Sequence, residues 1–285
     1  MWRVVKHPYD RGDDTKNGPL LFEKNGRQVE FSRKNRLIIN LIGTTGSGKS
    51  TQGAMLARTY GIPHVSIGDL FRDALQSSSA LGSLIKHQSK LGAVYSVNEL
   101  CLGMVANRLI KPDCTNGFVL DGFPRTQIQG VVLTHTFLHP DDIHVPIFMD
   151  VADSIVLNRL VNRWYCKPCN RQIRQHDKVQ IEDGCPTCKS PLVKREDDRS
   201  TDKIRENLCI FTQHRASIIE SMQERDIVHI LHLDDKISPD HIFQWICEII
   251  DCTLDVQHSK KHTSSGEIPR TWAVKLSGQR RARST

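Results

Sequence analysis

Residues 37 to 50 read Leu-Ile-Ile-Asn-Leu-Ile-Gly-Thr-Thr-Gly-Ser-Gly-Lys-Ser, a mostly apolar hexapeptide running straight into a glycine-rich turn. The turn, Gly43-Thr44-Thr45-Gly46-Ser47-Gly48-Lys49-Ser50, has the G-x-x-x-x-G-K-S spacing of a phosphate-binding loop. Its context is the required one, a buried strand before it and a helix after it, expected from about Gly48 to Tyr60. Glycines let backbone N–H groups turn inward on a polyphosphate, and the helix adds its unpaired N-terminal amides. Gly43, Thr44, Thr45, Gly46, Ser47, Gly48, Lys49, Ser50 and Thr51 are therefore the expected contacts of a nucleoside triphosphate. Within that set Lys49 reaches the outer phosphates and the Ser50 hydroxyl a magnesium ion.

Working outward, four further apolar runs predict buried parallel strands: His64 to Ser66, Gly117 to Asp121, Ile143 to Val151 and Ile227 to Leu233. Helical stretches separate them, and Ser238-Pro239-Asp240 starts a last helix expected to run to about Cys252. Strand and helix in alternation predict an α/β fold, a parallel P-loop sheet with helices on both faces. Loops after the strand ends, at Gly43 to Ser50, Ser66 to Arg72 and Asp121 to Arg125, then converge on one crevice. Ahead of this core, residues 1 to 36 form an extension in which Asn25-Gly26 predicts a small hairpin. Residues 257 to 285 read as a basic, disordered tail, leaving 37 to 256 as the core.

Charge follows the same division. The net charge is +7, with +4 in residues 1 to 36 and +6 in residues 257 to 285, leaving −3 for the 220 residues between. That balance does not support a basic nucleic-acid groove on the folded core, and the basic tails are the only part that could touch nucleic acid. No stretch has the length of a membrane span, and Met1 to Pro8 lacks the apolar centre of a secretory signal. A cytoplasmic monomer is the expectation, without membrane partners.

Gly117-Phe118-Val119-Leu120-Asp121-Gly122-Phe123-Pro124-Arg125 is the second decisive stretch. A strand ending in Asp121 can hold magnesium opposite Lys49. Here the chain resembles the adenylate kinases, whose members carry an Asp-Gly-Phe-Pro-Arg run after a phosphate loop; the resemblance covers about residues 37 to 252. It implies that Arg125 grips the phosphate of a nucleoside monophosphate and that Gln129 reads its base. His64 to Arg72 is similar to the family's small helical monophosphate-binding segment, which brings in Ser66 and, as second phosphate ligand, Arg72. The implied reaction is ATP plus AMP to two ADP. Ile67 stands where the family commonly has threonine, which leaves another monophosphate as an alternative acceptor.

Cys166-Lys167-Pro168-Cys169 and Cys185-Pro186-Thr187-Cys188 are fifteen residues apart, a structural zinc spacing. Four thiolates close a tetrahedron, so the metal's role is structural; zinc is favoured, and iron also accepts four thiolates. By resemblance the insert, about residues 163 to 196, is the metal-binding lid of the long-form adenylate kinases. Arg159, Arg163 and Arg195 at its edges then close over the donor phosphates, oriented by Asp197 and Asp198. One departure lies beyond the lid, where Asn207 aligns with a further family arginine. Arg205 or Arg199 is expected to stand in for it, the alternative being a catalytically weak ATP-binding regulator or nucleic-acid-linked protein.

Overall fold

A computed structural model describes residues 2–4, 22–24, 27–29, 36–77, 82–83, 85, 98–169, 171–174, 181–195, 198 and 200–262. Near the N-terminus β1 (Trp2–Val4), β2 (Phe22–Lys24) and β3 (Arg27–Val29) form a three-stranded antiparallel sheet. β2 and β3 pair in register Phe22↔Val29, as a hairpin across positions 25 and 26 requires. Asn25 and Gly26 themselves lie outside the described residues. The third strand, β1, has no signal in the sequence.

The core follows as β4 (Leu37–Ile42), α1 (Lys49–Tyr60), β5 (His64–Ser66), α2 (Ile67–Gln76), α3 (Asn98–Leu109), β6 (Gly117–Asp121), α4 (Gln127–Val132) and β7 (Ile143–Val151). After these come α5 (Asp153–Val161), the lid strands β8 (Arg163–Cys166) and β9 (Arg171–Arg174), α6 (Thr201–Gln223), β10 (His229–Leu233) and α7 (Pro239–His262). The five core strands lie in the order β10-β7-β4-β6-β5, all parallel. β10 begins at His229 rather than Ile227, and its ladder with β7 starts at Ile147, directly after Pro146, which has no N–H to offer.

Central β4 explains the layering. Ile38 and Ile42 enter one core with Phe71, Val105 and Phe211, while Ile39 and Leu41 enter the other with Leu56, Val156 and Ile246. A strand buried on both faces needs apolar residues at successive positions, and Asn40 is the exception. Its carboxamide is fully buried and makes no hydrogen bond among the described residues. At the amino end of β4, Arg36 clamps the sheet: Nη2 lies 2.6 Å from Asp142 Oδ2, Nε lies 3.1 Å from the same oxygen, and the backbone N–H donates to Asp142 Oδ1. Arg36, assigned from sequence to the extension, is thus part of the core.

The expected tail boundary also moves. α7 continues past Val256 to His262, because Gln257 to His262 contains neither glycine nor proline to stop it.

Candidate active site

Gly43 packs the loop entry so tightly on β7 that a Cβ there would sit 2.7 Å from the Met149 carbonyl oxygen. Gly48 then caps α1 without a side chain, leaving the first helical amides to an incoming anion. Lys49 folds back over this turn, donating to the Thr44 carbonyl at 2.5 Å and to Ser47 Oγ at 3.3 Å. Burial lowers its pKa to about 8; the cations Arg125 and Arg163 push the same way, and Asp121 opposes them. An ammonium held this way is short of negative charge, which is the condition polyphosphate relieves.

Ser50, one residue on, donates to Asp121 Oδ2 at 2.6 Å. His64 Nε2 lies 3.3 Å from the same oxygen, and its ring presses so closely on α1 that a Cβ on Gly53 would be 2.4 Å from Nε2. Burial raises the Asp121 pKa, but the hydrogen bonds from His64 and Ser50 and the charge of Lys49 outweigh it, so the carboxyl titrates below its ordinary value. A hydroxyl and an ionised carboxylate side by side are the hard oxygen donors that suit magnesium.

The opposite wall comes from α2 and the loop after β6. Ser66 caps α2 by accepting from Asp69 N–H at 3.3 Å, and Arg72 reaches the cleft from the same helix, with Nη2 2.5 Å from Asp69 Oδ1. Arg125 enters from the loop after β6. Gln129 is fully buried beneath it, its Oε1 accepting from Arg125 N–H at 2.8 Å, and its side chain does not line the cleft.

The lid edge supplies the roof. Arg163 grips Asp198 through Nε and Nη2, both at 2.7 Å. Arg195 lies over the Tyr165 ring, and burial together with Arg72 and Arg163 lowers its pKa to about 10. Arg159 ties the roof to the loop after β10 through Asp235 at 2.8 Å. Asp197, Glu196 and Arg199 lie outside the described residues.

Thr45, Gly46, Gly48, Lys49, Ser50, Thr51, Ser66, Arg72, Asp121, Arg125, Arg159, Arg163 and Arg195 therefore line one cleft. Gly43, Thr44 and Ser47 do not line it, and Thr44 and Ser47 instead hold the Lys49 ammonium. Gln172, Ile173 and Arg174 of β9 also line it, a contribution that sequence reasoning missed. Four residues inside a cysteine insert are too few to show a period, so no sequence signal marked them. Among the described residues, six arginines and one lysine face a single carboxylate, so the cleft is built for a polyanion.

Asn207 lines a smaller recess beside it with Thr45, Arg125 and Asp198. Arg205, two residues from Asn207 on α6, lines neither recess.

In the lid, the sulfurs of Cys166, Cys169, Cys185 and Cys188 lie within 4.8 Å of one another. Four sulfurs bonded to one zinc at about 2.3 Å stand about 3.8 Å apart. The Cys166–Cys188 and Cys169–Cys185 separations are 3.5 and 3.9 Å, so the cluster is compatible with a metal.

A sequence model described as adenylate kinase matches residues 41–227. The chain is 34% identical over 221 residues to an adenylate kinase of Chlamydia caviae, covering 77% of this chain and 98% of that one. It is 35% identical over 181 residues to an adenylate kinase of Syntrophotalea carbinolica, 63% of this chain and 83% of the other. An adenylate kinase of Clostridium botulinum matches at 28% over 214 residues, 74% of this chain and 98% of the relative.

Proposed function

The chain belongs to the adenylate kinase family of phosphotransferases, and from that premise we propose that it moves the γ-phosphoryl group of ATP onto AMP, giving two ADP. One observation carries the reading: the phosphate loop, the Ser50–Asp121 pair and arginines from three separate elements meet in one cleft.

Lys49 and the loop amides hold the donor phosphates; Arg72 and Arg125 hold the acceptor phosphate, planar forks matched to its oxygens. Arg159, Arg163 and Arg195 close from the lid side and exclude water that would otherwise take the phosphoryl group. Ser50 and Asp121 would hold magnesium, which would supply neutralising charge beside the donor phosphates. No covalent enzyme intermediate is needed, because holding donor and acceptor in line supplies the rate. Cys166, Cys169, Cys185 and Cys188 would hold zinc, which would keep the lid folded, since so small an insert buries little of its own surface. Two Cys-x-x-Cys pairs at metal-site spacing and five scattered single cysteines support a reducing compartment, the cytoplasm, and on this reading the protein acts there as a monomer on small nucleotides.

Acceptor choice is part of the proposal. Ile67 is buried in the core and offers a base no hydrogen bond. A coupled assay with AMP, CMP, UMP, GMP and their deoxy forms tests it, with AMP expected to give the highest kcat/KM. Another monophosphate giving a higher value reassigns the acceptor. ATP binding with no acceptor phosphorylated supports the weak-regulator reading that Asn207 favours.

A further inference from the structure

Arg125 is held by its backbone as well as by its side chain. Its N–H donates to Gln129 Oε1 at 2.8 Å, and its Nε donates to the Gly122 carbonyl at 3.2 Å. A backbone N–H can only donate, so the first contact fixes which end of the Gln129 carboxamide is oxygen. Nε2, at the other end, then has to donate, and it meets Asn98 Oδ1 at 3.3 Å. That same oxygen accepts from the Thr126 hydroxyl at 2.8 Å. The hydroxyl in turn caps α4 by accepting from Gln129 N–H at 3.3 Å. Every orientation around this ring follows from backbone donors.

Arg125, Thr126 and Gln129 are sequence neighbours, and their mutual bonds make a local turn. Asn98 is the outside member, on α3, 28 residues from Thr126 and 31 from Gln129. Its carbonyl oxygen takes both long-range bonds and ties the turn to another helix.

We infer that Asn98 is a positioning residue for the acceptor phosphate: it fixes Thr126 and Gln129, and through them the backbone that aims Arg125 into the cleft. This rests on the proposed kinase reading, in which Arg125 grips that phosphate. Removing the Asn98 carbonyl takes away the acceptor that the Gln129 amide and the Thr126 hydroxyl share on α3, so the turn carrying Arg125 loosens. Donor-side groups on α1 and the lid are untouched.

The test compares the parent with Asn98→Leu, Asn98→Asp and Thr126→Val in steady-state kinetics, AMP and ATP varied separately, with thermal unfolding alongside. Asn98→Leu should raise KM for AMP about tenfold while KM for ATP stays within about twofold. Asn98→Asp, which keeps an acceptor oxygen, should recover most of that loss. Thr126→Val, which removes one of the two donors, should move KM for AMP the same way by a smaller factor, and it keeps the question open to test if Asn98→Leu does not fold. The inference is overturned if KM for AMP is unchanged in the folded variants, if both KM values rise together with a fall in Tm, or if the aspartate does no better than the leucine. A parent that phosphorylates no monophosphate overturns the kinase reading and this inference with it, which differs from an active parent whose Asn98 variants match it.

Discussion

Lys49→Met removes a charge that the nucleotide-free fold holds at a cost. The ammonium titrates ordinarily at 10.5 and in the folded chain at about 8, chiefly because burial leaves it 6% exposed. Between those values the unfolded chain binds more protons than the folded one, so stability rises with pH across the window. Below about pH 8 the folded protein carries the whole cost, and the gap between the two values corresponds to about 3 kcal/mol. Methionine has a similar length and no charge to desolvate, and it forfeits a hydrogen bond to the Thr44 carbonyl. The net gain expected for Lys49→Met without nucleotide is therefore about 2 to 3 kcal/mol at pH 7, shrinking below about 0.5 kcal/mol by pH 10.5. Saturating Mg-ATP should reverse the order, since only the parent binds it tightly and ligand binding stabilises the folded state. Urea denaturation at pH 7 and pH 10.5 reads the difference. A variant less stable than the parent at pH 7, or a gain that does not change with pH, would refute this view of a lysine strained for want of phosphate.

The remaining expectations concern single features. Asn40→Leu, which replaces a buried and unbonded carboxamide by an apolar group of similar shape, should stabilise the fold by about 1 to 3 kcal/mol in denaturant titration; a loss of stability would mean that the amide is satisfied. Asn207→Arg puts a guanidinium into the recess beside Arg125 and Asp198, and because Arg205 lines neither recess, kcat should rise by at least about tenfold with little change in either KM. An unchanged kcat would show that the lid-edge arginines already meet the transition-state charge. Purified protein should carry one zinc per chain by elemental analysis, and stripping it should lower hydrogen-exchange protection in residues 163 to 195 while β4, β6 and β7 keep theirs. Uniform loss across lid and sheet would contradict a local role for the metal.

What the sequence disclosed and what it hid follow from the range of the interactions. The phosphate loop, the Asp121 to Arg125 run and the paired cysteines are local patterns whose spacing carries the chemistry, and each was legible before any coordinates. The strands were legible too, since two-sided burial writes itself as consecutive apolar residues. Contacts between distant segments were not. Arg36 meets Asp142 across 106 residues, and nothing near either marks the pair. Asp121 and His64 become neighbours only because β5 and β6 pair in the register Ser66↔Asp121. Asn98 carries no signal of its own in the sequence, because its partners Thr126 and Gln129 lie 28 and 31 residues away. Nor did the sequence show that Gln129, assigned by resemblance to the base, accepts from the Arg125 backbone N–H through its Oε1. The lid strand β9 was hidden for another reason: four residues inside a cysteine insert are too few to show a period, so Gln172 and Arg174 gave no sign of facing the cleft.

Phosphoryl transfer from ATP to AMP at the Lys49 cleft is the central claim, and direct product analysis tests it. Purified protein is mixed with Mg-ATP and AMP, quenched at intervals, and the nucleotides are separated and quantified beside a Lys49→Ala control. Two ADP should appear for each ATP and AMP consumed, with the rate falling at least about 100-fold in Lys49→Ala. ATP consumed to ADP and free phosphate while AMP stays constant, or a Lys49→Ala rate equal to the parent's, would contradict the account.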